Sequence, residues 1–158
     1  MNSGMTYEIS TTSSADTKSA GHRLSKLLGG GDIVELSSDL GGGKTTFVQG
    51  VALGLGFAAP VTSPTFTLSN IYHLADGREL HHYDLYRLGE GGVMADELAE
   101  DIQDPEVITI IEWAGVAKTR LPVDRLLISF DVTADTGRRL TFSAGGPNSA
   151  SILARLKT

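Results

Sequence analysis

The run Ile33-Val34-Glu35-Leu36-Ser37-Ser38-Asp39-Leu40-Gly41-Gly42-Gly43-Lys44-Thr45-Thr46 constrains this chain more than any other stretch. A short apolar segment leads into three glycines and then Lys-Thr-Thr, after which Phe47, Val48, Val51, Ala52 and Leu55 keep a helical period. Strand, glycine turn and helix in that order are the context of a phosphate-binding loop. Gly41, Gly42 and Gly43 let the backbone turn tightly and bring its N–H groups against phosphate oxygens, which a Cβ would obstruct. Lys44 offers a cation to the β/γ-phosphates and Thr45 a hydroxyl to Mg²⁺. The helix opening near Thr46 points its positive end at the anion. Ser38 stands where the G-x-x-x-x-G-K-[ST] pattern has its first glycine. The alternative reading is a glycine-rich surface turn followed by a lysine.

The chain's 158 residues suit one domain over residues 1–158, and folding at this size hides roughly 68–70% of the unfolded surface. Met1–Gly4 reads as a start remnant, with Met5 a second candidate start. There are no cysteines, so disulfides and thiolate metal sites are excluded. No apolar run approaches ~18 residues and no basic-then-apolar leader pattern opens the chain; the expectation is a cytoplasmic protein without a membrane span. A formal charge of -6 argues against a broad basic face tracking nucleic-acid phosphates. Any service to RNA is therefore expected to run through other proteins.

Tyr7 and Ile9 alternate as in a short first strand. Ser13 and Asp16 have capping-box spacing ahead of Ala20, Leu24, Leu27 and Leu28, which predicts a helix over residues 15–28, ended by Gly29-Gly30-Gly31. Pro60 and Pro64 frame a constrained loop that presents Thr65 and Thr67 from an extended segment. It is either a rigid turn or a sensor of the γ-phosphate and its metal. A strand over residues 65–74, a turn at Asp76-Gly77 and a strand from Glu79 follow. His81 and His82 face opposite sides of that strand and read as surface or packing residues. Asp84 is either a metal ligand or a local turn cap. Residues 89–103 form an acidic, solvated helix with Val93, Met94, Leu98 and Ile102 on its apolar side.

Val107-Ile108-Thr109-Ile110-Ile111-Glu112-Trp113 is the second anchor. A near-continuous β-branched run is what a strand buried on both faces of a parallel sheet looks like. An acid at its C-terminal end lies where ligands bind in open α/β sheets. Glu112 is thus either a Mg²⁺ or water-positioning residue or an ordinary strand-end cap. Trp113 either packs at the mouth of that site or fills the core. Residues 116–120 read as a short helix or turn. Residues 126–132 and 138–143 make an antiparallel hairpin around Thr136-Gly137, with Arg138 and Arg139 either near a nucleotide or on a solvated tip. Ile152, Leu153 and Leu156 predict a last helix over residues 149–156. The fold class expected is α/β, a P-loop NTPase-like three-layer sandwich whose central sheet is mostly parallel, with antiparallel strands at its edges.

The glycine loop, Ser63-Pro64-Thr65-Phe66-Thr67-Leu68, His82-Tyr83-Asp84-Leu85-Tyr86-Arg87-Leu88 and Ile111-Glu112-Trp113, in that order, resemble the TsaE (YjeE) family. These are bacterial ATPases required for threonylcarbamoyladenosine modification of tRNA. The resemblance is dense from about Asp32 to Trp113 and thinner outside. It implies ATP phosphates held by Gly41, Gly42, Gly43, Lys44, Thr45 and Thr46, with Mg²⁺ near Thr45 and Glu112. Asp84 falls on the family's active-site acid, so that Lys44, Glu112 and Asp84 carry the chemistry and Thr45, Glu112 and Asp84 the metal. Trp113 matches the family's tryptophan beside the acid, Arg138 an arginine near the nucleotide, and Ser14 to Thr17 a stretch near the base. Ser38 and Gly42 replace the family's usual glycine and alanine. The resemblance further implies docking on the TsaB–TsaD complex, with tRNA engaged only indirectly. Two other readings stay open: a small-molecule kinase, for which no arginine-rich lid segment follows the loop, and a binding module that uses ATP only to hold its shape.

Overall fold

The computed structural model describes residues 5–38, 43–57, 69–85, 93–112 and 121–158, with residues 93–95 described by backbone alone. In chain order these residues form β1 (Thr6–Thr11), α1 (Ser14–Ser25), β2 (Ile33–Ser37), α2 (Lys44–Gly54), β3 (Ser69–His73), β4 (Glu79–Asp84), α3 (Val93–Asp101), β5 (Val107–Glu112), β6 (Leu126–Val132), β7 (Arg138–Ala144) and α4 (Pro147–Leu156). The described strands make one seven-stranded sheet in the order β1-β7-β6-β2-β5-β4-β3. Strand β2 runs parallel to both β5 and β6, and β4 runs parallel to β5. The outer pairs, β1 with β7, β7 with β6 and β3 with β4, are antiparallel. This is the parallel centre with antiparallel edges that the sequence pattern predicts.

Every residue of β5 is buried, and β2 is buried up to its last residue. Both strands lie inside the sheet with packed layers on each face, which is why their sequences do not alternate. On one face Val34, Leu36, Ile110, Ile128 and Phe142 pack with Leu24 of α1, Phe47 and Val51 of α2 and Leu153 of α4. On the other, Ile33, Tyr83 and Ile111 pack with Leu98 of α3 and with Leu121. Each such side chain, fully buried, stabilises the fold by roughly 1.5–3 kcal/mol. The result is a three-layer α/β arrangement.

Several elements depart from expectation. Helix α1 stops at Ser25 rather than at residue 28; Leu27 and Leu28 donate to the carbonyls of Leu24 and Ser25 in tighter turns. Asp16 does not close a capping box on Ser13. Its carboxylate accepts from the Thr12 N–H and hydroxyl at 3.0 and 2.8 Å, and these bonds, the backbone one foremost, hold its pKa below the usual value. Strand β3 begins at Ser69, residues 65–68 lying outside those described. Helix α4 starts two residues early, because Pro147 suits a first turn and the Asp124 carboxylate accepts from the N–H groups of Asn148 and Ser149 at 2.8 and 2.9 Å. Helix α3 is not simply solvated, since Leu98 is 2% exposed in the second core.

That second face also carries buried polar pairs. Arg125 donates to Glu35 at 2.7 Å. His81 sits between Asp101 at 2.5 Å and Glu79 at 2.8 Å. The Tyr83 hydroxyl donates to the same Asp101; burial first, and then that carboxylate, push the phenol pKa well above its usual value. These contacts tie β4 to the last turn of α3. His81 and His82 do face opposite sides of the sheet, but both are buried and both have carboxylate partners. Among the described residues no helix is long and apolar enough to cross a membrane.

Candidate functional site

The parallel strands β2, β5 and β4 end side by side, and the chemistry-bearing residues cluster at that edge. In register, Leu36 of β2 lies beside Glu112 of β5, which lies beside Asp84 of β4. Both acids therefore stand at the carboxyl ends of parallel strands, the edge at which open α/β sheets bind ligands. Glu112 is buried, whereas Asp84 is half-buried.

After β2 the chain reaches α2 through Gly43, whose φ of +97° is left-handed. A side chain would be strained there, so the glycine is required by backbone geometry rather than by space. Helix α2 opens with Lys44, and no acidic residue lies in its first turn. The Lys44 ammonium is buried; it donates to the Ser38 hydroxyl at 2.9 Å and the Ser38 carbonyl at 3.3 Å, and lies 4.0 Å from Glu112 Oε1. The other carboxylate oxygen of Glu112, Oε2, is held by Nε2 of His82. A cation, the N-terminus of a helix and a buried acid thus meet at the ends of β2 and β5.

Beside this edge lies a cavity of about 130 Å³ lined by Ser14, Thr17, Gly43, Thr46, Asp135, Thr136 and Arg138. Three elements build its walls. Thr17, from the first turns of α1, bonds Thr11 at the end of β1 at 2.9 Å. The Thr136 hydroxyl donates to the Thr12 carbonyl at 2.7 Å and so fastens the β6–β7 turn to the start of α1. Arg138, pairing with Val132 at the base of that turn, donates from Nη1 to the carbonyl of Gly137 at 2.8 Å and that of Ala134 at 3.2 Å. A Cβ built on Gly43 would lie 3.7 Å from Arg138 Nε, so the guanidinium borders the glycine turn.

The structure therefore brings Lys44, Glu112 and Asp84 to one sheet edge, and Gly43, Thr46, Arg138 and Ser14 to the neighbouring cavity, with Thr45 in the first turn of α2 between them in sequence. Gly41, Gly42 and Trp113 lie outside the described residues, as do residues 63–68 and 86–88. Sequence reasoning missed two contacts. Ser38 engages Lys44, and His82 engages Glu112. The second was legible in part: His82 is two residues before Asp84 and so must share its face.

The residues present suit a nucleotide phosphate with a hard cation. Lys44, the helix N-terminus and Arg138 supply positive charge beside Gly43. Thr45, Glu112 and Asp84 are all oxygen donors, the set that Mg²⁺ takes. Among the described residues no group of three or more His, Asp or Glu side chains forms a cage of its own.

Residues 11–140 match the family model described as threonylcarbamoyl adenosine biosynthesis protein TsaE. The chain belongs to the TsaE family. It is 40% identical over 131 residues to the tRNA threonylcarbamoyladenosine biosynthesis protein TsaE of Streptomyces coelicolor, covering 80% of this chain and 88% of the relative. To the protein of the same name from Treponema pallidum it is 40% identical over 130 residues, covering 82% and 94%. The crystal structure of Bacillus subtilis YdiB superposes with a TM-score of 0.80 at 30% identity, covering 99% of this chain and 97% of that one. The TsaE match begins at the end of β1 and closes within β7, so it takes in both the sheet edge and the cavity.

Proposed function

We propose that this TsaE-family chain is a Mg²⁺-dependent ATPase of tRNA threonylcarbamoyladenosine biosynthesis, acting as one domain in the cytoplasm and docking on a TsaB–TsaD complex. The observation that carries the reading is the buried Lys44–Glu112 pair at the ends of β2 and β5, at the mouth of a helix that starts from a left-handed glycine. Charged groups buried this way are costly unless each has a partner or a task.

In this reading Lys44 leaves Ser38 to bind the β/γ-phosphates, while Gly41, Gly42, Gly43, Thr45 and Thr46 supply backbone N–H groups around them. Ser14 serves the base side of the ligand, Arg138 contacts the nucleotide, and Trp113 contacts it beside the acid. Thr45, Glu112 and Asp84 would hold Mg²⁺, which supplies charge neutralisation at the phosphate oxygens. Glu112 and Asp84 also orient water at the same edge. Arg138 is engaged by carbonyls of its own turn, which argues against its acting as a mobile arginine finger. Such a finger is worth roughly 10³–10⁵ in rate, about 4–7 kcal/mol of barrier; turnover alone is therefore slow and faster with the partner. The charge of -6 supports docking on protein and indirect engagement of tRNA.

The test is steady-state phosphate release from Mg-ATP by the purified protein, alone and with TsaB–TsaD, with Lys44→Ala as control. Partner-dependent release that the control abolishes is expected. Equal rates with and without the partner would refute the coupling, and no release in either condition would refute the ATPase reading in favour of a nucleotide-gated binding module.

A further inference from the structure

We propose that His82 is a positioning residue for the Glu112 carboxylate, an inference that rests on the reading of Glu112 as the site's acid. His82 is completely buried, and its Nε2 meets Glu112 Oε2. It lies on β4 two residues before Asp84, and Asp84 is the register neighbour of Glu112. The imidazole therefore reaches Glu112 along the strand diagonal, one step deeper in the sheet than Asp84. The carboxylate is held at Oε2 by the imidazole, which leaves Oε1 on the side of the Lys44 ammonium, 4.0 Å away. The hydrogen bond to Oε2 orients the carboxylate, so Oε1 is directed to the side of Lys44.

The other ring nitrogen fixes the tautomer. Nδ1 of His82 is buried and has no hydrogen-bond partner among the described residues. A buried N–H left unsatisfied is the costlier arrangement, so the proton belongs on Nε2, where the carboxylate accepts it. A packing residue would gain nothing from imidazole here, since Leu80, on the same face two residues earlier, fills its place with hydrocarbon. The pair resembles the familiar outer-shell arrangement of metal sites, with roles exchanged: the carboxylate faces the ligand and the histidine orients it.

The experiment uses the full chain and two conservative variants. Glutamine places its amide N–H near the position of Nε2, whereas asparagine places it near Nδ1. His82→Gln is expected to keep the Mg²⁺ dependence of ADP binding, measured by calorimetry, within about threefold. His82→Asn is expected to weaken Mg²⁺-dependent binding by roughly 10–100-fold while leaving metal-free ADP binding unchanged. Equal behaviour of the two variants would overturn the proposal. Long-range ¹H–¹⁵N spectra of the unliganded wild type give a readout independent of ligand and of activity. They should show His82 protonated at Nε2 alone, with both ring shifts moving in Glu112→Ala; protonation at Nδ1 would overturn the proposal even if a variant failed to fold. If the wild type binds Mg-ADP but releases no phosphate, the ATPase reading fails while the calorimetric and spectroscopic arms still decide the role of His82.

Discussion

Gly50 offers the sharpest test of how the helical layer holds the site. It lies in the middle of α2 on the side that meets α1, where a Cβ would fall 1.9 Å from the Lys18 carbonyl oxygen and 2.8 Å from its carbon. Gly21 of α1 is its counterpart, with a Cβ falling 2.2 Å from the Phe47 carbonyl oxygen. The two helices touch backbone to backbone. An ordinary C···O contact is about 3.3 Å, so Gly50→Ala requires the helices to part by roughly 1.4 Å. The obstacle is helix backbone, which cannot rotate away as a side chain can. Overpacking of this kind costs about 1–3 kcal/mol, and the upper end applies here. Alanine's better helix propensity offsets about 0.5–1 kcal/mol. The net destabilisation is about 2 kcal/mol, or a fall in Tm of roughly 4–8 °C for a chain of this length. Lys44 is six residues, about 9 Å, up the same helix, so displacement of α2 also moves the ammonium away from Ser38 and Glu112. Circular dichroism melting would measure the first effect and ADP titration the second. Gly54→Ala serves as comparison: its obstacles are the Ser25 hydroxyl at 1.8 Å, which can turn aside, and the Ser25 Cβ at 2.8 Å, less close than the 1.9 Å backbone oxygen facing Gly50; it should cost less. A Gly50→Ala protein that melts at or above the wild-type temperature would refute the reasoning.

Two further predictions concern Ser38 and Asp124. Ser38→Gly removes the 2.9 Å hydroxyl contact that holds Lys44 at the strand end; a hydrogen bond to a charged group is worth at least about 1.5 kcal/mol, so ADP should bind roughly tenfold tighter, and unchanged or weaker binding in a calorimetric titration would count against it. For Asp124, burial alone would raise the carboxyl pKa, but the hydroxyl and N–H of Ser149 and the N–H of Asn148 outweigh it and hold it below the usual value. A depressed folded pKa contributes stability above the unfolded value of about 3.9 and loses it as pH falls through the folded one. Urea midpoints should therefore fall more steeply for the wild type than for Asp124→Asn between about pH 6 and pH 2.5, and parallel curves would exclude the effect.

Much of the architecture was legible because the apolar pattern reports burial directly. Residues 107–112 read as a doubly buried strand, and β5 has no exposed residue. Gly43, Lys44 and the period of Phe47, Val48 and Val51 announced a loop feeding a helix, and α2 begins at Lys44. Asp76-Gly77 and Thr136-Gly137 placed two turns. Ends were less legible. The early start of α4 depends on a group far away in sequence, Asp124, which is 25 residues from Ser149. The histidines were legible only in part for a related reason: alternation says that neighbours face opposite ways, but not whether a carboxylate waits on each side.

By itself, then, the sequence determined the element types, the glycine turn with its lysine, the acid at the end of a buried strand and, through its motifs, membership of the TsaE family. These are properties of residues close in the chain, where period and steric preference act locally. Tertiary structure alone decided that Lys44 rests on Ser38, that His82 grips Glu112 and that Arg138 borders Gly43 beside Ser14. Such contacts arise where strands from distant parts of the chain come into register, and no local pattern encodes which side chains that register sets face to face.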